Sequence, residues 1–104
     1  MFQNLGLEEA TGRLISILEK NISIISILIK NHLEIMLLEY TGYVVDGLFH
    51  VRQKSKTTPY MMALVSGAIV NTVVFWVREG RTITSMELNS VIQEFLCRAY
   101  STTL

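Results

Sequence analysis

Side-chain chemistry needs donors or nucleophiles held at set spacings, and few residues here could supply it. A zinc or similar site would join His32 or His50 to carboxylates or cysteines at metal-ligand spacing. The two histidines stand far apart with no such pattern around them, so each is expected at a surface or a helix end. Cys97 is the single cysteine, which leaves no intrachain disulfide, and no visible neighbour activates its thiol; packing is its expected role. Ser66-Gly67 lacks the Gly-x-Ser-x-Gly frame of a nucleophile elbow. The six glycines form no phosphate-cradling loop. These residues point away from an enzyme and imply no catalytic residue, no metal and no cofactor.

Non-covalent recognition is better provided for. Met36, Tyr40, Tyr43, Phe49, Met61 and Met62 cluster in the middle of the chain. Methionine packs around irregular shapes, and tyrosine offers an apolar body with one hydroxyl to orient a ligand. They are candidates for lining a mostly apolar small-molecule pocket formed by the first four helices, although each could equally fill a core.

Stepping outward to composition, 104 residues make one domain, 1–104, with half its residues apolar and 17% charged, which is a folded class. Nine basic residues balance nine acidic ones. Autonomous nucleic-acid binding rests on a cationic surface, and a neutral chain provides one only by segregating its charge. Arg52, Lys54 and Lys56 form the one basic cluster, beside Ser55, Thr57, Thr58 and Pro59, and read as a solvated loop. The N-terminus lacks the basic start and apolar run of a signal peptide, and a cytoplasmic location fits the lone cysteine.

The elements that would position these residues are helices. Leu7, Ala10, Leu14 and Ile17 recur at helical spacing, with Glu9 and Arg13 paired on another face. Asn21 offers a break and a new N-cap. Residues 22–29 are β-branched enough to pass for a strand, and a third periodic stretch runs from Leu33 toward Val51. Inside it, Tyr43-Val44-Val45, Asp46-Gly47 and Leu48-Phe49 spell a hairpin signal. After a polar loop, Thr58 and Pro59 are the expected N-cap and N1 of a fourth helix, and Gly80 its C′ residue after Arg78. Thr84-Ser85-Met86-Glu87 is a capping box opening a fifth, with the stripe Leu88, Ile92, Phe95 and Ala99 widened by Val91 and Leu96.

Residues 60–77 carry no charge, and 18 such residues reach the lower limit for a membrane span. Ser66, Asn71 and Thr72 interrupt the run, with Asn71 near its middle, where lipid offers no hydrogen-bond partner. A helix apolar all round can instead be buried between two layers of a soluble assembly, and burial without a membrane is the expectation.

Residues 60–70 lead into Phe75-Trp76-Val77-Arg78-Glu79-Gly80, then Thr84-Ser85-Met86-Glu87-Leu88 and Val91-Ile92-Gln93-Glu94-Phe95-Leu96. Together with Leu14 to Asn21, and Ile25 and Leu28, this resembles the C-terminal regulatory domain of TetR-family transcriptional regulators, over roughly residues 13–97. The resemblance implies an all-α, five-helix domain with a helix where Asp46-Gly47 sits, so the third helix is expected to continue there. It implies a homodimer in which the last two helices of each copy form a four-helix bundle. The candidate interface residues are Ile69, Val73, Val77, Leu88, Ile92, Phe95 and Leu96, each of which could also be ordinary core. It further implies that a small apolar or aromatic effector is sensed and coupled to an N-terminal helix-turn-helix that reads DNA. The stretch before Leu7 is too short for that motif, so the expectation is either a fragment or a protein without its reader. A plain homodimeric helical module without ligand, and a small membrane protein spanning with 60–77, are the alternatives.

Overall fold

Apolar residues one helical turn apart set the inner face of each element. The computed structural model describes residues 4–48 and 55–101. The described residues contain α1 (Asn4–Lys20), α2 (Ile22–Lys30), α3 (Glu34–Leu48), α4 (Thr58–Arg78) and α5 (Ser85–Ser101), and no strand. In α1 the buried row is Ala10, Thr11, Leu14, Ile15 and Leu18, while Glu9 and Arg13 pair at 2.6 Å on the exposed side.

Asn21 separates α1 from α2 and stands at the expected N-cap position, its carbonyl accepting from the Ile25 N–H at 3.0 Å, but its side chain does not cap α2. Its amide donates to the Ile17 carbonyl at 2.8 Å and ties off the end of α1 instead. The β-branched α2 is helical and buries Ile25 and Ile29, one turn apart, where a strand would alternate. It stops in a Schellman turn: the His32 N–H donates to Ile29 O at 3.1 Å and the Leu33 N–H to Leu28 O at 2.8 Å. His32 occupies the left-handed position there, with φ 58°, where glycine is the usual residue.

The third helix runs through Asp46-Gly47 to Leu48 without reversing. Leu37, Thr41 and Val45 are all but fully buried on successive turns, and a hairpin at Asp46 would break that row. The continuation toward Val51 lies outside the described residues.

Thr57, not Thr58, precedes the first turn of α4, and Pro59 sits inside that turn. The Thr58 hydroxyl accepts from the Ser55 N–H at 2.8 Å, so it fixes the approach to the helix. At the other end Gly80 (φ 80°) closes a second Schellman turn, in which the Arg81 N–H donates to Trp76 O at 2.8 Å. The Trp76 indole N–H donates to Ile83 O at 2.8 Å, and the Arg81 guanidinium lies 6.0 Å from the ring centre. Helix α5 opens on the expected capping box. The Thr84 N–H donates to the Glu87 carboxylate at 2.9 Å, and the Glu87 N–H to the Thr84 hydroxyl at 3.1 Å.

Helix α3 packs along α4 and α1 along α5, with α2 against both α1 and α3. Leu14, Leu37, Val45, Ile69, Val73 and Leu96 meet in one core. Arg78 reaches Glu34 at 3.4 Å, joining the end of α4 to the start of α3, and the Ser85 hydroxyl donates to Glu19. The molecule measures 38 × 26 × 19 Å, so it is about two helix diameters thick. In so thin a slab, an outer helix is covered on one side only.

Candidate functional site

The inner face of α3 is taken by Leu37, Thr41 and Val45, which turns Met36, Tyr40 and Tyr43 the other way. All three are exposed, Tyr43 to 82%, and at i, i+4 and i+7 they form one outward stripe. In the single chain they face solvent, where the expectation had them lining a mostly apolar pocket formed by the first four helices. Met61 and Met62 are half-buried in the first turns of α4, Met62 against the core, and Phe49 lies outside the described residues.

The interface candidates divide as well. Ile69, Val73, Leu88, Ile92 and Leu96 are buried in the core of the single chain, and Val77 is half-buried against it. These are therefore core residues, because the first three helices already cover that side of α4 and α5. Phe95 is the exception, standing on the outer side of α5. Among the described residues, His32 is spent on a turn, Cys97 is half-buried on α5, and no group of three or more metal-ligating side chains occurs; His50 lies outside them.

What α4 leaves uncovered is a single stripe. Tyr60, Leu64, Asn71, Phe75 and Arg78, all exposed, and the half-buried Gly67 fall on one face at spacings of three and four residues, with the exposed Ala63 beside them. Tyr60 and Leu64 are each 74% exposed and Phe75 65%. Beside the stripe, α5 turns out Val91 and Phe95, exposed to 53% and 58%. Between the two helices runs an open groove of about 260 Å³, where Asn71, Val91 and Phe95 stand over the buried Ile69, Ile92 and Leu96. The groove is mostly apolar, with Asn71 and Thr72 as its polar members; the Thr72 hydroxyl is already spent on Ala68 O at 2.8 Å. No charged residue lines it, and the exposed Glu94–Arg98 pair, at 2.6 Å, stands beside Val91 and Phe95 on α5.

Helix α4 is also long and apolar enough to cross a membrane by length and composition, with 39% of its most apolar window buried inside the molecule. Sequence periodicity marked α4 and α5 as apolar helices, and the side it nominated for an interface is the side that their own chain buries. The exposed side of α4 is legible in the spacing of Tyr60, Leu64 and Phe75 around Asn71. Set against protein-family models, curated proteins and solved structures, the chain finds no match.

Proposed function

We propose that this chain is a homodimeric helical regulatory domain of the TetR type, in which two copies meet through α4 and α5. The observation that carries the proposal is the continuous uncharged face of Tyr60, Leu64, Phe75, Val91 and Phe95. At about 150–250 Å² for each aromatic side chain, the exposed parts of these five residues present on the order of 600 Å² per copy. Two copies would bury about 1,200 Å², the lower end of the range for stable interfaces. An uncharged face also meets itself without burying like charges.

Sedimentation velocity is the direct test. Wild type should sediment as a dimer at about tens of micromolar, the scale that tests moderate affinities, and Phe75→Asp and Phe95→Asp should each give folded monomers. A wild-type monomer, or a dimer that survives either substitution, rejects the proposal.

The regulatory role rests on the sequence resemblance. In that role, DNA reading belongs to a separate N-terminal helix-turn-helix, and these helices supply pairing and response. A small apolar or aromatic effector would use the outward stripe Met36, Tyr40 and Tyr43 with the start of α4, shifting the balance between two dimer arrangements by about 1–3 kcal/mol. A thermal-shift screen of such compounds, with Tyr40→Ala as control, tests it. Without a stabilising compound, a plain dimerisation module remains.

A membrane reading has its own observation, the apolar length of α4. Recovery in the membrane fraction after alkaline carbonate extraction would favour it over the soluble dimer.

A further inference from the structure

We infer that the two copies meet across a two-fold axis passing at Asn71, so that Asn71 faces its own counterpart and Phe75 seats over the partner subunit's Gly67. The inference rests on the dimer proposed above and specifies its register.

Three features of the α4 stripe converge on it. Gly67 is the first. A Cβ built there meets no heavy atom within 4 Å beyond the helix's own backbone. Glycine inside a helix is destabilising relative to alanine, and nothing in the single chain needs this one. A second helix approaching closely would need it. Phe75 is the second: a large ring, 65% exposed, with no cover from its own chain on the outer side. Asn71 is the third. Its exposed amide lies in the middle of the uncharged run and makes no side-chain hydrogen bond among the described residues.

Symmetry then fixes their relation. A two-fold axis perpendicular to α4 at one residue sets the residue n positions before it against the one n positions after it on the mate. Gly67 and Phe75 stand four residues to either side of Asn71. An axis at Asn71 therefore brings the exposed Phe75 ring of one copy to the open space at the partner subunit's Gly67, twice. The same axis sets Leu64 against the methylene stem of the partner subunit's Arg78. A carboxamide carries both donor and acceptor, so two asparagines facing each other can form reciprocal hydrogen bonds, which two carboxylates or two ammonium groups cannot. Moving the axis one helical turn, to Gly67, would set each amide against the partner subunit's Ala63 and leave it buried without a partner. Asn71 thus selects register, as a single buried asparagine does in paired helices.

Site-specific disulfide trapping tests this in the full chain. In a Cys97→Ala background, Asn71→Cys, Leu64→Cys and Phe75→Cys are oxidised separately, and Gly67→Cys is mixed with Phe75→Cys. All the introduced positions lie on the outer face, and circular dichroism confirms folding of each variant. Because a disulfide needs its Cα atoms within about 7 Å, Asn71→Cys should cross-link to itself about tenfold faster than Leu64→Cys or Phe75→Cys. The Gly67→Cys and Phe75→Cys mixture should form the mixed dimer in preference to either self-linked product. If wild type is a dimer dissolved by Phe95→Asp, yet Leu64→Cys or Phe75→Cys links to itself as fast as Asn71→Cys, the register is wrong and the dimer stands. A wild-type monomer, or a dimer indifferent to Phe95→Asp, overturns the dimer and the register with it.

Discussion

Replacing Gly67 by alanine separates the needs of the single chain from those of a pair. In the single chain the added Cβ enters open space, with no atom beyond its own helix backbone within 4 Å. Alanine is then favoured over glycine by about 0.5–1 kcal/mol. A domain of this size moves its Tm by about 4–8 °C per kcal/mol, so the monomeric chain should melt about 2–8 °C higher. Adding Phe75→Asp to both members of the comparison keeps them monomeric for that measurement. In the proposed pair, the same methyl would intrude where the partner subunit's Phe75 is placed, and over-packing of this kind costs about 1–3 kcal/mol. Two-fold symmetry repeats the intrusion, so the total is at least about 2 kcal/mol, which raises the Kd by a factor of at least about thirty. Circular dichroism melting reads the first effect, and sedimentation velocity over a concentration series reads the second. A lower Tm in the monomeric background would show that Gly67 serves its own chain. An unchanged Kd would show that no helix lies over it.

The remaining predictions concern the single fold. Thr41 is 1% exposed and its hydroxyl finds no hydrogen-bond partner, so Thr41→Val should stabilise the protein by about 1 kcal/mol in urea denaturation; a fall in midpoint would reveal a bond that the hydroxyl makes. His32 and Gly80 hold the same left-handed position after α2 and α4, at φ 58° and 80°. His32→Gly should therefore stabilise and Gly80→Ala destabilise, each by about 1 kcal/mol, and equal signs in thermal melts would contradict the strain assignment. Leu14, fully buried where α1 meets the rest of the core, should cost about 2–5 kcal/mol on replacement by alanine, and a loss under about 1 kcal/mol would mean that the site collapses around the gap.

Features carried by a few neighbouring residues were legible in the sequence. The Thr84–Glu87 box and the Gly80 stop each close within one turn, and both are present as read. The Asp46-Gly47 turn signal was equally local and was overridden, because Leu37, Thr41 and Val45 gain more as one buried row of α3 than a hairpin could return. The division of apolar faces was the least legible. Periodicity shows that Ile69, Val73, Leu88, Ile92 and Leu96 must be covered, but not whether their own chain or another covers them. Here their own chain does so, and the surplus passes to Phe75, Phe95 and Val91. The same ambiguity turned Met36, Tyr40 and Tyr43 outward: a methionine and two tyrosines share a stripe in either case, and only the packing of α3 on α4 decides which way it points.

Trp76 gives the molecule a built-in optical reporter. It is the single tryptophan, 8% exposed, with its indole hydrogen-bonded to the carbonyl of Ile83 across the α4–α5 corner. Its emission should shift to the red when that corner opens and water reaches the ring. On the helix it lies about 140° around from Asn71, at 100° per residue, so it faces inward and away from the outer stripe. Intrinsic fluorescence will therefore follow the melting of a subunit while remaining nearly silent to its association. Unfolding and assembly can thus be recorded as separate signals from one unlabelled sample.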